Sequence, residues 1–238
     1  MLCKIDPALV KDARRILTLL CFASRPLTLP ELIDGIAVEI SEPTGLNKDC
    51  RLEDYNDIRD ICPGFINLNV AADQTQTVQI AHFSVQEYLE SDRIRHQKAI
   101  IFGLTSVIAH EEIAQVCLIY VLEPNLSSSV LNQNVLEEYP LAQFAAEYWH
   151  VHYKSTANAT SELHTLISRL FQQKESFMTW LRLHNVENPY HQDNDSSYAT
   201  TPVYYASLLG LDQALHELLN IKQQESIYMV SFFSYVSN

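Results

Sequence analysis

Apolar positions in the first ninety residues follow two spacings. From residue 7 to 24, Leu9, Ala13, Ile16, Leu17 and Leu20 recur at helical intervals, which predicts a helix with one apolar stripe. Arg25-Pro26 ends it, Leu27-Thr28-Leu29 reads as a short extended piece, and Pro30 opens a second helix, Glu31 to Ala37. Residues 41–48 read as a Pro/Gly/Asn loop. A third helix is predicted from Leu52 to Ile61, stopped by Cys62-Pro63-Gly64. Phe65 to Val70 and Thr77 to Phe83 then predict two strands, joined as a hairpin by the polar turn Ala71 to Gln76. Ser84-Val85-Gln86-Glu87 has the pattern of a capping box, so a helix carrying Tyr88 and Leu89 should start there.

From that point to about residue 185 the chain reads as all helix. One stripe is Ile113, Val116, Cys117, Tyr120 and Val121. A second, started by Pro140, is Leu141, Phe144, Ala145, Tyr148, Trp149 and His152. A third, capped by Ser161, is Leu163, Leu166, Ile167 and Leu170, and a fourth is Phe177, Trp180, Leu181 and His184. Asn188 to Thr200 is a polar linker. Thr201-Pro202 then opens a helix, because proline at the first helical position gives up no bond it could have made. Ala206 is small enough for helix-on-helix contact, Gly210 can stop the helix with a positive φ, and Leu211 to Leu219 can run back antiparallel. One such pair cannot bury its own apolar face. Leu208, Leu209, Leu215, Leu218 and Leu219 cannot all be buried without a neighbour, which predicts self-association or poor solubility, relieved by removing residues 195–238. The tail, 222–238, is apolar and aromatic from Tyr228 to Val236 and looks unlike the polar end of a capped array.

The expected fold class is therefore mainly α. Helix, short strand, helix, helix, strand, strand is the order of a winged helix with a small β-hairpin, placed at 7–90. A helical segment follows at 91–187, a linker at 188–200 and the helix pair at 201–221.

Composition changes this picture chiefly through charge. With 29 acidic and 16 basic residues the net charge is −13, which opposes a nucleic-acid footprint and adhesion to an anionic membrane. A winged helix would read DNA with its third helix. Between residues 50 and 90 the bases are Arg51 and Arg59, against Glu53, Asp54, Asp57, Asp60, Asp73, Glu87 and Glu90, and the turn Ala71 to Gln76 has no positive charge. Such a surface repels phosphate, so a DNA-binding function is disfavoured. Lys11, Arg14 and Arg15 form a basic cluster and read as the solvated face of the first helix.

Cys3, Cys21, Cys50, Cys62 and Cys117 are odd in number, with no zinc-ligand spacing, and read as buried free thiols in a reducing compartment. Lys4, Asp6, Lys11 and Asp12 break any signal-peptide pattern, and no apolar run approaches the roughly 20 residues of a membrane span. The expectation is a cytoplasmic protein, with the sequons at Asn125, Asn158 and Asn194 due to chance.

No catalytic motif emerges. The five glycines, Gly35, Gly45, Gly64, Gly103 and Gly210, are too scattered for a phosphate loop. There is no Gly-x-Ser-x-Gly elbow. His110-Glu111-Glu112 begins like a zinc-protease motif, but Ala114 stands where the second histidine belongs. His150 and His152 face different sides of one helix and cannot chelate together, so each reads as a surface or core-edge histidine. His82, beside the Ser84 cap, reads as a structural hydrogen-bonding group. Tyr148, Trp149, Trp180 and Tyr190 could line a peptide groove, although the first three fit core positions better. No enzyme activity, cofactor or metal is expected.

The chain resembles the region that follows the NACHT-type nucleotide-binding module in large fungal NACHT–ankyrin proteins, relatives of the NOD-like receptors. Those carry a winged helix of the GPI inositol-deacylase type, a helical segment and ankyrin repeats. Ala13-Arg14-Arg15-Ile16-Leu17 and Arg25-Pro26-Leu27-Thr28-Leu29-Pro30-Glu31-Leu32 resemble the first half of that winged helix. Cys62-Pro63-Gly64-Phe65-Ile66 and Ala81-His82-Phe83-Ser84-Val85-Gln86-Glu87-Tyr88-Leu89 resemble its hairpin and exit helix. Pro140-Leu141-Ala142-Gln143-Phe144-Ala145-Ala146-Glu147-Tyr148-Trp149 resembles the helical segment. Thr201, Pro202, Ala206, Gly210, Leu218 and Leu219 match a first ankyrin repeat, with Tyr204 in place of the usual histidine. The likeness covers roughly residues 7–220 and includes neither a nucleotide-binding domain nor a second repeat.

The resemblance implies a non-enzymatic interaction or regulatory module. Its partner would be a protein, either a NACHT-type NTPase domain or further ankyrin repeats. The alternatives are a truncated receptor fragment and a DNA-binding protein.

Overall fold

The computed structural model describes residue 2 and residues 5–156, 159–184 and 201–220. The expected linker at 188–200, the tail at 222–238, Cys3, Tyr190 and the sequons at Asn158 and Asn194 lie outside the described residues.

Helix α1 (Val10–Phe22) buries Ala13, Ile16 and Leu17 completely, as its stripe predicts. Strand β1 (Leu27–Thr28) leads into α2 (Leu29–Ala37), which starts two residues earlier than expected. The reason is a capping box: Thr28 Oγ1 accepts from the Glu31 amide at 3.4 Å, and Glu31 Oε2 accepts from the Thr28 amide at 2.7 Å. The stretch read as a loop instead contributes to a ribbon, β2 (Val38–Glu39) paired with β3 (Gly45–Leu46). Helix α3 (Tyr55–Ile61) is shorter than expected because Asp54 caps it in a second box with Asp57. Strands β4 (Ile66–Val70) and β5 (Gln76–Ile80) form the hairpin, and β1 completes an antiparallel sheet of order β1-β5-β4. Residues 7–80 therefore form a winged helix.

Helix α4 (Phe83–Glu90) begins one residue before the expected Ser84, because the cap is His82, whose Nδ1 accepts from the Ser84 amide at 3.2 Å. The helical segment continues through α5 (Asp92–Arg95), α6 (Ser106–Val121), α7 (Pro124–Ser128) and α8 (Gln133–Glu138). It ends with α9 (Ala142–Lys154), α10 (Ser161–Gln172) and α11 (Lys174–Leu183). Pro140 precedes α9 rather than opening it, and the cap of α10 is Thr160, not Ser161. No helix among the described residues is long and apolar enough to cross a membrane.

Helix α6 organises the core. From Val116 to Val121 every residue is buried, so this stretch has no solvent side. It packs on α1 and the β2–β3 ribbon from the winged helix, and on α9, α10 and α11 from the helical segment. One continuous apolar cluster results. Within it, Trp149 and Trp180 meet edge to face at 5.8 Å, and Trp180 Nε1 donates to the Ala146 carbonyl at 3.0 Å.

The last helices are α12 (Pro202–Leu208), capped by the Thr201 side chain, and a helix over 212–220, with Gly210 at φ +64 between them. Tyr205 docks the pair by meeting Phe177 and Trp180 at 5.9 and 5.7 Å. Leu209 and Leu218 are thus buried, two of the five leucines that were not all expected to be. Leu208 and Leu219 remain 48% and 41% exposed.

Because both halves share α6, Ile113→Ala should lower stability by about 2–5 kcal/mol and lower it for both together. Native-state hydrogen exchange should show amides of α1 and α9 losing protection by the same amount. Separate losses would mean two independent cores.

Candidate functional site

The two halves meet in buried polar contacts as well as apolar ones. Arg15 sits on the α1 stripe between Ala13 and Ile16, and its side chain is only 8% exposed. Its Nε lies 2.6 Å from Glu112 Oε1 on α6, and its Nη1 donates to the carbonyls of Gly35 and Val38 at 3.3 and 3.2 Å. Those carbonyls end α2 and have no helical partner, so a cation there satisfies them. Arg15 is therefore not part of a solvated face. It ties α1, the end of α2 and α6 together.

A second cluster surrounds Asp34, which is 1% exposed on α2. Arg51 grips it with Nε at 2.7 Å and Nη2 at 2.8 Å, and Tyr120 of α6 donates its hydroxyl to the same carboxylate. Arg51 also donates to the Glu138 carbonyl at 2.9 Å. Beside it, Lys48 donates to the Tyr139 hydroxyl at 2.8 Å, pairs with Glu138 at 2.5 Å and lies 4.0 Å from the centre of the Tyr139 ring. Burial pushes the Asp34 carboxyl up, only partly offset by Tyr120 and Arg51. Burial first, then Asp34, pushes the Tyr120 phenol far above its ordinary range. Burial pulls Lys48 down, but its bonds to Glu138 and Tyr139 leave it raised. Residues 48–51 thus clasp α2 to the end of α8, and Tyr120 brings α6 onto the same carboxylate.

The third cluster is a chain of histidines. His152, fully buried, lies 3.1 Å from Ser24 Oγ through Nε2 and 2.8 Å from His110 Nδ1 through its own Nδ1. Sequence reasoning placed His152 at a surface or core edge. It is buried instead because both ring nitrogens find partners on other elements. A bond between two Nδ1 atoms needs one proton between them, so the two rings cannot both be cationic while it is made. Burial, then His110 and His150, push His152 down to about 4, and burial lowers His110. His150 is pushed down to about 4 by burial, then Lys154 and His184, and its ring stacks on His184 at 6.3 Å.

Ser24 lines an open cavity of about 250 Å³ with Leu27, Val78 and Arg25 among its walls. A serine beside a neutral histidine is half of an acyl-transfer pair. Ser24 follows the C-terminus of α1, however, where helix carbonyls rather than amides point outward and oppose an oxyanion. Among the described residues, no three His, Cys, Asp or Glu side chains gather as a metal site. Cys62 and Cys117 are buried, Cys21 is half-buried and Cys50 is exposed, which corrects the expectation that the cysteines are all buried. Burial pushes the Cys21 and Cys62 thiols up to about 12, far from the thiolate.

The motif residues fall at three separate places. His82, Phe83, Ser84 and Glu87 are exposed on α4, Tyr88 bonds Gln97 at 2.7 Å, and Leu89 is buried. Trp149 and Trp180 are core and Tyr148 is half-buried, so they form no groove. Thr201, Pro202, Ala206 and Gly210 shape the last helix pair. The exposed face of α3 offers Asn56, Arg59 and Asp60, with Arg59 3.9 Å from Asp60, while Arg51 points inward to Asp34. None of Arg15, Asp34, Lys48, Arg51, Tyr120 or Tyr139 was singled out as a site from sequence. The available signal was a charge inside an apolar run, as in Leu32-Ile33-Asp34-Gly35-Ile36.

Residues 2–101 match the family model described as GPI inositol-deacylase, winged helix domain. The chain is also similar to "Azaphilone pigments biosynthesis cluster protein L" of Monascus ruber, at 43% identity over 239 residues and 96% of this chain. The chain spans about half the length of that curated relative. No solved structure matches.

Arg51→Ala leaves Asp34 buried without its cation and should destabilise the fold by about 3–5 kcal/mol, whereas Arg51→Ala with Asp34→Asn should recover most of the loss. Urea unfolding of the three proteins checks this. The histidines give a pH dependence of defined sign. A histidine lowered from 6.5 to about 4 contributes stability above pH 6.5 that is lost as pH falls toward 4. For His152 that amounts to about 3 kcal/mol. Thermal melts should fall between pH 7 and 4.5, and His152→Gln should flatten the slope.

Proposed function

We propose that this chain is a non-enzymatic protein-interaction and regulatory module, the part of a NACHT–ankyrin-like protein between the nucleotide-binding module and the repeats. The observation that carries the reading is the last helix pair. It is seated on α11 through Tyr205 and on α10 through Glu217, which accepts from Ser168, while Leu208 and Leu219 stay exposed. Those leucines suit one occupant, a further helix pair of the same kind, since stacked repeats bury the face that a single one leaves open. The winged helix supports the other half of the reading. Its acids and the inward-turned Arg51 suit a protein partner better than a phosphate backbone. The relative's name places that protein with a pigment-biosynthesis cluster. We extend the same setting to this chain, with a role in control rather than in chemistry.

A DNA-binding function is the second reading and rests on the winged helix alone. Co-expression of the chain with a NACHT-type NTPase domain tests the first reading. The expected result is co-elution at about 10 μM and a several-fold lower ATP hydrolysis rate of the complex. Turnover of ATP or an ester by the chain alone would overturn it, as would a salt-sensitive shift of duplex DNA.

A further inference from the structure

Strand β4 is the open edge of the three-stranded sheet. The Ala71 amide donates to the Thr75 carbonyl and the Ala81 amide to the Phe65 carbonyl. Odd-numbered residues of β4 therefore face β5, and even-numbered ones turn their amides and carbonyls away from the sheet. Among the described residues, the outward backbone groups of Leu68 and Val70 make no hydrogen bond, whereas Ile66 already has a partner. Val70 is 55% exposed, beside a half-buried Leu68. The strand carries neither a lysine nor a proline, two of the usual defences of an edge.

Charge says what can approach it. Between Asp60 and Glu87 the one charged residue is Asp73, in a chain of net charge −13. Along this stretch of chain, two copies bring only their Asp73 side chains into like-charge opposition.

We propose that β4 is a self-pairing strand, joining two copies antiparallel about a two-fold axis at Asn69. In that register Leu68 of each copy pairs with Val70 of the other, with two backbone hydrogen bonds in each pair. The exposed Val70 is then covered by a leucine across the strand, and Asn69 faces Asn69 on the opposite face of the ribbon. The alternative centre, Leu68, would require Ile66, which is engaged. The two Asp73 carboxylates sit four residues to either side of the axis, about 25 Å apart, beyond the screening length at physiological salt. A strand from an unrelated chain could use the same edge, but only a second copy matches Asn to Asn and apolar to apolar without a separate sequence to supply them.

The register makes the test specific. At the axis the pair is of the narrow kind, with Cα atoms about 4.5 Å apart, within the range of a disulfide. In a Cys50→Ser background, which removes the exposed native thiol, Asn69→Cys should cross-link under mild oxidation, and Asn67→Cys, about 13 Å from its symmetry mate, should not. Sedimentation of the unmodified chain up to about 0.1 mM should show a monomer–dimer equilibrium. Asn69→Asp, which sets two like charges across the axis, should weaken that equilibrium at least tenfold, and Leu208→Ser with Leu219→Ser should leave it unchanged. A monomer at all concentrations overturns the proposal, as do equal cross-linking at both positions and a dimer that responds to the leucine changes instead of Asn69→Asp. Circular dichroism of Asn69→Asp should match the parent, since the side chain is exposed.

Discussion

A helix with no solvent side has to be wrapped, and the arrangement follows from wrapping α6. Its second half, Val116 to Val121, can satisfy its surface only if both the winged helix and the bundle close on it. The small sheet and the short helix α3 then sit on the outside of a larger core than a winged helix of that length could build alone. Gly35 marks how closely the parts approach: a Cβ there would lie 2.9 Å from Leu19 Cδ1.

Buried charge fixes the geometry that apolar packing leaves loose. Apolar surfaces slide, but Arg15 must reach two carbonyls and Glu112 at once, and Arg51 must hold Asp34 while reaching the Glu138 backbone. Such contacts add little net stability when intact, because desolvation opposes them, yet losing one partner strands the other. They act mainly to select one relative position of α1, α2 and α6.

Much of the fold was legible in the sequence because it is written in local periodicity. The α1 stripe, the hairpin from Phe65 onward and the stripe through Phe144 and Trp149 each need only neighbours in the chain to be recognised. What escaped was set by distant partners. The β2–β3 ribbon has only two residues per strand, too short for any alternation, and it packs on α6. Arg15 lies next to Arg14 and near Lys11, so it reads as surface until Glu112, 97 positions away, is brought to it. His152 likewise reads as a neutral edge residue until Ser24 and His110 occupy its two nitrogens. Ser84-Val85-Gln86-Glu87 carries the pattern of a capping box, but the cap is His82, whose imidazole accepts from the Ser84 amide.

The two polar clusters differ in what they demand of the residues around them. Arg15 meets Val38 through a backbone carbonyl, which any amino acid supplies, so the side chain at 38 can drift without touching that bond. Asp34, Arg51 and Tyr120 meet side chain to side chain, so none can change usefully without a matching change in another. Over evolutionary time the first cluster should leave one correlated pair, Arg15 with Glu112, and the second a correlated trio scattered over 87 positions of sequence, from 34 to 120.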